Sequence, residues 1–556
     1  MLHRILLAAF VLALNAQCHA HDFLPSPVNI RDNDIVTLEC GRTYIGELKL
    51  ANLRNVTVRT SGDCGKASLT TALPVTGWRR VAKQSKVWVA ELDVRPSQLQ
   101  VGDDFVSLAH HPNTPGTWSR GESRMPGQLR VSLPNDDLAG ATLVWRAADW
   151  LIQTRAIARV DDRTLILAPG DDEGFGLLPK TDFYVEGKRW MLDSPGEWAW
   201  EDGRLYVWPE DGESPEGRTW ASPRARAIDA NGSRNVRIGG LRIFGATLGI
   251  DGTDSRNLQV SDADIENSGE EAMLAGTGTR VRRLHVKGSV QNGVRANDDV
   301  RDVAISDSRF DEVGMLGMPR RSKGAIVFEQ SRNVIVQRNR ITGAGYIGIR
   351  VFRDALVTDN VITRACLRLS DCGGIYTFAR DREPLNVKIE RNRVSELAGR
   401  SAYAIYLDDF ANGVTVTGNQ LVDNPGGLEL HNGFDNEIIG NSFINSRYEH
   451  ILFNETASFA SISGNRVLRN RFVASGEVPV YRLWSRHGGA NVARFAEFVG
   501  NRYKGVPVQF ADVEGSGMLD FDRWRERVGG EPDAQAAGAS STGRTSPKLT
   551  RQREKE

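Results

Sequence analysis

Two adjacent aspartates end a short predicted strand at residues 401–409 and could support acid–base catalysis. Side chains along a strand alternate between its faces, so Ile405 would point to one side, and Tyr406 and Asp408 to the other. Neighbouring carboxylates disfavour each other's ionisation, so we expect the contact with Asp409 to keep Asp408 protonated near neutral pH. A protonated carboxyl group beside an ionised one is suited to general acid–base chemistry.

A third carboxylate, Asp371, precedes the glycine-rich segment Cys372–Tyr376. Counted along extended strands, Asp371 is offset from Asp408 by seven positions, or roughly 20 Å, which is too far for a catalytic pair. We expect these two aspartates to form a pair only if the turn at residues 373–374 folds Asp371 back over the sheet.

Short apolar strands recur after Pro223, and this repeat must position the carboxylates. One inward apolar residue per repeat gives ten positions, 21 to 32 residues apart: Ile228, Ile250, Met273, Val294, Ile326, Ile349, Ile375, Ile405, Leu428 and Ile451. Self-similarity at such a period is typical of a solenoid. Short β-branched runs with many Gly and Asn exclude helical repeats, and the spacing of leucine-rich repeats is absent. We predict an all-β fold, a right-handed parallel β-helix whose coils stack about 4.8 Å apart.

A second repeating column consists of asparagines at predicted corners: Asn339, Asn360, Asn392, Asn419, Asn441 and Asn465. Stacked Asn side chains can bond to one another and to the backbone groups that a sharp turn leaves unpaired. We therefore interpret this column as structural and not as a ligand site.

The outward residues follow from the inward column by alternation. Two rows, one and three positions after the inward residues, hold Arg350, Tyr376, Tyr406 and Glu429, and Glu329, Phe352, Phe378, Asp408, His431 and Asn454. They gather carboxylates, aromatic rings and cations within about four coils, roughly 15–20 Å of stack height. Outward solenoid faces are polar in any case, so this prediction depends on the clustering. We predict a glycan cleft walled by the loops at residues 319–323 and 379–384.

Composition and the N-terminus limit the partners. The 70 Lys and Arg balance 70 Asp and Glu, so the net charge favours neither nucleic acid nor an anionic membrane surface. Residues 1–20 are typical of a signal peptide, with Arg4 before ten apolar residues and a small residue, Ala20, at the cleavage point. Ten apolar residues are too few to cross a bilayer. A lipid anchor at Cys18 is an alternative. We expect a secreted or periplasmic monomer without a membrane span.

Four further cysteines favour two disulfides in an exported chain, and we predict the local pairs Cys40–Cys64 and Cys366–Cys372. Ten of the twelve tryptophans lie between Trp78 and Trp220, among segments that resemble antiparallel strands. The predicted organisation is a signal peptide (1–20), a cap with the first coil (21–74), a Trp-rich β-domain (75–222), the β-helix (223–528) and a disordered tail (529–556).

Four segments resemble secreted bacterial parallel β-helix enzymes: LDSPGEWAWEDGRLYVWPEDG (192–212), SDCGGIYTF (370–378), YAIYLDDFANGVTVTGN (403–419) and GGLELHNGFDNEIIGNSF (426–443). The chain is most similar to glycoside hydrolase family 141, with a looser likeness to family 110, over roughly residues 30–505. The resemblance implies a β-helix interrupted by an inserted β-domain, and hydrolysis of a complex polysaccharide by aspartates. Asp371 and Asp408 match the family's two aspartate motifs. This sequence departs from the family's pattern at Cys372, where Gly is commoner, and at Phe378-Ala-Arg, where an aromatic residue followed by Gly is commoner.

The leading hypothesis is a secreted glycoside hydrolase that needs no cofactor. Its acid–base pair would be Asp371 and Asp408, and Asp409 would tune Asp408. The substrate-binding residues would be Arg350, Tyr376, Tyr406, Glu429, His431, Glu329 and Phe378, with the two strand tyrosines stacking on sugar rings.

Two alternatives stay open. A polysaccharide lyase or C5-epimerase would abstract a proton beside a uronate carboxylate, for which Arg350, Lys323, Arg380 and His431 are candidates. Glu329, Asp408 and Asp409 would then hold calcium. The other alternative is a non-catalytic β-helix that binds glycans.

Overall fold

The computed structural model describes residues 21–23, 29–113, 118–170, 174–316, 323–456, 461–474, 477–486, 492–505 and 507–537. The chain winds through three long parallel sheets, which confirms the predicted β-helix, and two mainly antiparallel sheets lie near the N-terminus. The predicted signal peptide, most of the loop at 319–323 and residues 538–556 lie outside the described residues.

Each coil contributes one strand to each of the three parallel sheets, which we call the front, second and third sheets in chain order. Among the described residues, the front sheet has fourteen strands: Leu48–Lys49, Arg226–Asp229, Leu248–Asp251, Met273–Ala275, Val294–Ala296, Ile326–Val327, Ile349–Arg350, Cys372–Thr377, Ala402–Leu407, Gly426–His431, Glu449–Glu455, Tyr481–Ser485, Ala511–Val513 and the antiparallel Gly517–Leu519.

In the part of the chain that the structure describes, the second sheet has thirteen strands: Ile35–Glu39, Thr57–Ser61, Arg237–Gly239, Gln259–Ser261, Arg280–Arg282, Arg301–Ser306, Arg332–Gln337, Leu356–Thr358, Lys388–Glu390, Thr415–Thr417, Glu437–Ile439, Asn465–Leu468 and Ala496–Val499. The third sheet has fifteen strands within the same described residues: His21–Phe23, Thr43–Ile45, Ala67–Thr70, Leu241–Phe244, Asp264–Ser268, His285–Ser289, Arg309–Val313, Arg340–Ala344, Val361–Thr363, Arg393–Ser395, Gln420–Val422, Ser442–Ile444, Arg471–Val473, Arg502–Lys504 and Gln535–Ala537.

The inward column predicted from the sequence is present in full. Each of its ten residues pairs in register with the next along the front sheet, from Ile228 opposite Ile250 to Leu428 opposite Ile451. All ten are fully buried. Because a slip of one residue would turn every apolar side chain outward, this column fixes which residues face solvent.

The predicted asparagine column forms a hydrogen-bonded ladder at the corner between the second and third sheets. Each amide side chain donates to the next coil's Asn oxygen, from Asn339 through Asn360, Asn392, Asn419 and Asn441 to Asn470 and Asn501. The assignment of Asn465 to this column was wrong. Asn465 begins a second-sheet strand and accepts instead from Asn436, at the opposite end of that strand. The motif Gly-Asn-x-aliphatic occurs at both corners, so spacing alone does not separate them.

Replacing Asn419 by Ala is expected to destabilise the β-helix by about 2–4 kcal/mol, because it orphans the Asn392 amide N–H and the Ile389 carbonyl in the dry interior. Urea unfolding would measure the loss. The matched control is Asn297→Ala, whose exposed side chain accepts only from Arg295 and whose backbone is not left-handed, and a change within about 0.5 kcal/mol is expected there. Equal effects of the two substitutions would contradict a stabilising ladder.

The antiparallel sheets are an insertion between the first coil and the rest of the β-helix. Strands of the first coil pair directly with coil 226–244, so the chain leaves the solenoid near Leu73 and returns near Ser222. Eight strands form one inserted sheet: Leu73–Val75, Arg79–Arg80, Trp88–Glu91, Gln98–Val101, Asp104–Leu108, Glu197–Glu201, Arg204–Trp208 and Thr219–Ser222. Seven form the other: His110–His111, Ser119–Met125, Gln128–Arg130, Thr142–Ala148, Leu151–Asp161, Thr164–Leu167 and Lys180–Glu186.

Both predicted disulfides are present, Cys40–Cys64 in the first coil and Cys366–Cys372, which ties the preceding turn to a front-sheet strand. The helix Phe521–Arg527 follows the last front strand, and short 3₁₀ turns occur at Arg189–Met191 and Val492–Arg494. The disordered tail was predicted to begin too early. Gln535–Ala537 adds a strand to the third sheet, and Glu531 accepts hydrogen bonds from Asn501 and Tyr503 at the end of the ladder.

Within the part of the chain that the structure describes, no helix is long and apolar enough to cross a membrane.

Candidate active site

The two outward rows meet on the front sheet as the alternation predicts. Arg350 pairs with Tyr376, Tyr376 with Tyr406, and Tyr406 with Glu429 on successive coils. In the other row His431 pairs with Asn454. Polar and aromatic side chains are therefore brought together by strand stacking alone.

Asp371 lies in this cluster in spite of its offset along the strand. Its backbone is left-handed (φ 52°), its carbonyl accepts a 2.8 Å hydrogen bond from the Tyr346 hydroxyl, and the Cys366–Cys372 disulfide closes the turn around it. The Tyr406 hydroxyl donates to Asp371 Oδ1 over 3.1 Å. A turn before the strand, and not the Gly373–Gly374 pair within it, thus directs Asp371 towards the neighbouring coil.

Asp408 is held between two coils by its own partners. The Tyr376 hydroxyl donates to Oδ2 over 2.5 Å, and His431 Nδ1 lies 2.6 Å from Oδ1. Burial by itself would raise the pKa of Asp408, but the hydrogen bonds and positive charge of His431 and the bond from Tyr376 outweigh it, so the pKa is lowered. The expectation that Asp408 stays protonated is wrong. Its partners His431 and Tyr376, and not the Asp409 carboxylate, set its ionisation.

Asp371 has the opposite environment. Burial raises the pKa of its carboxyl group, and the negative charge of nearby Asp408 raises it further, against the hydrogen bond from Tyr406. The cluster therefore contains one carboxyl group whose pKa is raised and one whose pKa is lowered. Two such groups are what a general acid and a general base require.

His431 and Glu429 are also perturbed. Burial would lower the pKa of His431, but the hydrogen bond and charge of Asp408, assisted by Glu429, raise it to about 9. Burial raises the pKa of Glu429 to about 8, although the Asn454 side chain donates to Glu429 Oε1 over 2.9 Å. Near neutral pH His431 is thus a cation bound to Asp408, and Glu429 is largely a neutral acid.

We expect the His431 ring to stay protonated up to a pH of about 9, which ring ¹³C and ¹⁵N chemical shifts would show, with His431→Gln to assign the signal. In the folded protein the pKa of His431 is raised above its unfolded value of about 6.5. The stabilisation that comes from protonating His431 is therefore fully present below about pH 6.5 and is lost as the pH rises through about 9. In Asp408→Asn the ring should titrate at a clearly lower pH. An unchanged titration would contradict the pairing.

Asp409 has a different position from Asp408. It is more exposed, it accepts a 2.7 Å hydrogen bond from Asn432, and its Oδ1 lies 3.7 Å from His431 Nδ1. Ligand atoms of Asp408, Asp409 and His431 lie within 4.8 Å of one another. This donor set does not fit calcium, which takes only oxygen ligands, and the protonated His431 already donates to Asp408.

Glu329 is not part of that group, contrary to the predicted calcium site. It pairs instead with Arg350 over 2.8 Å and with Lys323 over 3.0 Å, and these charges outweigh burial to lower its pKa. The Arg350 guanidinium also covers the rings of Tyr376 and Phe378. Glu329 and Arg350 are therefore bound to each other, on coils that precede the coil of Asp371.

The two tyrosines predicted to stack on sugars are buried: Tyr376 is 8% exposed and Tyr406 is 4% exposed. Their rings pack edge to face with centroids 5.3 Å apart. A ring without a free face cannot be a sugar platform, so that part of the prediction is wrong. Their hydroxyl groups instead bind Asp408 and Asp371. Burial and the nearby carboxylate charges raise the pKa values of both tyrosines.

A cleft of about 450 Å³ opens beside the cluster, and five predicted residues line it: Asp371, Tyr406, Glu429, His431 and Asn454, whereas Asp408 is not in its lining. The sequence prediction missed most of its other walls: Asp149, Trp150, Arg400, Ser401, Tyr403, Tyr448, Glu449, Leu452, Arg482 and Trp484. Extending the outward rows by one coil would have found Trp484, which pairs with Asn454. Nothing in the sequence pattern places the inserted residues Asp149 and Trp150 here.

The family described as "Right handed beta helix region" matches residues 218–353, 248–443 and 325–506, which together cover more than half of the chain. A solved structure named "Glycoside hydrolase" is 15% identical, covers 74% of this chain and 88% of its own, and has a TM-score of 0.59. The complex of XylC with xylose is 11% identical, with 80% and 81% covered and a TM-score of 0.43.

A mannuronan C-5 epimerase module from Azotobacter vinelandii is 13% identical, with 57% of this chain and 85% of its own covered and a TM-score of 0.40. No curated protein matches. At these identities the likeness concerns the fold.

Proposed function

We propose that this chain, which belongs to the right-handed β-helix family, is a secreted glycoside hydrolase that uses Asp371 as general acid and Asp408 as general base or nucleophile. One observation carries the proposal. Two carboxyl groups in one tyrosine-linked cluster have pKa values displaced in opposite directions. Two disulfides and the apolar N-terminal segment support export.

In the proposed reaction, the protonated Asp371 donates its proton to the glycosidic oxygen as the bond to the anomeric carbon breaks. The Tyr406 hydroxyl occupies Asp371 Oδ1, which leaves Oδ2 to carry that proton. The ionised Asp408 either removes a proton from the attacking water or attacks the anomeric carbon itself. Carboxyl groups about 5–5.5 Å apart favour retention, and groups about 6.5–9.5 Å apart favour inversion.

His431 and Glu429 have supporting roles in this proposal. His431 donates to Asp408 and keeps it ionised, while its Nε2 lies 2.7 Å from the Thr456 hydroxyl, which fixes the ring. Glu429 lines the cleft beside Tyr406 and would bind a sugar hydroxyl. Asp409 orients the Asn432 amide that lies next to His431.

The test is incubation of the mature protein with neutral, uronate-containing and sulfated polysaccharides in H₂¹⁸O, followed by mass analysis. Hydrolysis breaks the glycosidic bond with water, so one ¹⁸O atom should appear in each new reducing end. Shorter products without ¹⁸O, or no products with any polysaccharide, would contradict the proposal.

A polysaccharide lyase or C5-epimerase is the second candidate, and Arg400 is the observation that favours it. This exposed guanidinium lines the cleft and has no hydrogen bond or ion pair to any residue that the structure describes. It could neutralise a uronate carboxylate while a base removes the adjacent proton. A lyase product would absorb ultraviolet light and contain no ¹⁸O, and an epimerase would change the uronate configuration without cleavage.

A further inference from the structure

Two tryptophans differ from the other ten in their exposure. Trp150 is 37% exposed and Trp484 is 38% exposed, whereas the remaining tryptophans are buried or half-buried. Both exposed rings line the cleft that contains Asp371. Leaving a large aromatic ring in water is unfavourable, and its occurrence twice in one cleft indicates a ligand with apolar faces.

Trp150 reaches the cleft from the inserted domain. Asp149 and Trp150 are the two-residue turn of a hairpin between the strands Thr142–Ala148 and Leu151–Asp161. The Asp149 carbonyl accepts a 3.0 Å hydrogen bond from the Ser370 amide, so this turn is attached beside Asp371. Phe175 packs edge-on against the Trp150 ring, with centroids 4.8 Å apart, and supports it.

Trp484 belongs to the β-helix itself. It pairs with Asn454, which pairs with His431, so it continues the outward row of the catalytic cluster. The strand of Trp484 lies four coils beyond the strand that follows Asp371, or about 19 Å along the stack. Glu429 and His431 lie on coils between these two anchoring points.

We propose that Trp150 and Trp484 are sugar-stacking platforms towards the two ends of the cleft, so that a glycan chain of several units extends from Trp150, beside Asp371, past Glu429 and His431 to Trp484. The inserted domain thus completes the binding site, and the buried strand tyrosines position carboxylates instead. The nature of the ligand rests on the proposed function, since pyranose rings present flat C–H faces that suit exposed indole rings.

The experiment measures binding separately from cleavage. The full-length Asp371→Asn variant is used because it lacks the proposed general acid. It is titrated calorimetrically with oligosaccharides of graded length prepared from neutral, uronate-containing and sulfated polysaccharides. Adding Trp150→Ala or Trp484→Ala is expected to weaken binding of long oligosaccharides by roughly 10- to 100-fold each, while binding of the shortest ones should respond to only one of the two.

Matched controls are Met125→Ala in the inserted domain and Met518→Ala near the last coil, both exposed and outside the cleft. They should leave affinity within about twofold. Unchanged affinity in both tryptophan variants would overturn the platforms, even if Asp371→Asn abolishes cleavage. Conversely, tryptophan-dependent binding with cleavage that survives in Asp371→Asn would overturn the acid assignment and support the platforms.

Discussion

Replacing Asp371 by Asn is expected to lower glycan cleavage by about 10³-fold, because an amide cannot donate the proton that the leaving oxygen needs. Asn keeps the size of the side chain and can still accept the hydrogen bond from Tyr406, so the fold should persist. The measurement is kcat/KM on the polysaccharide identified by the panel, together with thermal unfolding.

An aryl glycoside of the released sugar separates an acid from a structural residue. Its leaving group departs without protonation, so Asp371→Asn should cleave it with less than about a tenfold loss. Asp251→Asn is the matched control, since Asp251 is an outward carboxylate on an early coil of the same sheet, bound to Arg226. Equal losses on both substrates would contradict the acid role.

Replacing Asp408 by Asn is the second large expected effect, again about 10³-fold in kcat, because the cluster loses its ionised carboxylate. Cleavage of the aryl glycoside should fall as well, since this loss does not depend on leaving-group protonation. The same substitution should lower the pKa of His431, so activity and ring titration can be measured on one sample.

Azide distinguishes a reacting Asp408 from one that only orients His431. Azide is added to the Asp408→Asn variant. If Asp408 normally attacks the anomeric carbon or activates water, azide can take over that role, form a bond to the anomeric carbon and give a glycosyl azide. Asp408 would instead have a positioning role if azide gave no glycosyl azide, and if His431→Gln lost as much activity as the variant that combines it with Asp408→Asn. Asp409→Asn is the control, with a loss below about fivefold because Asp409 contacts Asn432 and not Asp371 or Tyr376.

The β-helix could be predicted from the sequence in unusual detail because each coil repeats the same inward position. All ten inward residues were identified correctly, since parallel stacking in register requires an apolar residue at the same place in each coil. Corner residues carry a weaker signal. Asn465 and Asn470 both follow residues with left-handed backbone, and only the strand that follows each one distinguishes their corners.

The sequence places some of the candidate residues on one face of the front sheet, but it does not identify their partners. Alternation places Tyr406, Glu429 and His431 on one face, whereas the ionisation of Asp408 depends on which partner reaches it. Sequence adjacency suggested Asp409, but both aspartates follow the end of the strand Ala402–Leu407, and the hydrogen bonds of Asp408 run to neighbouring coils. The partners across coils, Tyr376 and His431, determine the charge instead.

Sequence by itself determined the solenoid, its register and the face on which the carboxylates lie, because these follow from a repeat of short strands whose side chains alternate. Tertiary structure alone decided how Asp371 reaches that face and what closes the cleft. A left-handed turn held by a disulfide directs Asp371 towards Tyr406. A hairpin some 220 residues earlier in the chain, outside the sequence repeat, places Trp150 beside Asp371. Contacts between an insertion and a solenoid leave no period in the sequence, and for that reason only the folded chain defines them.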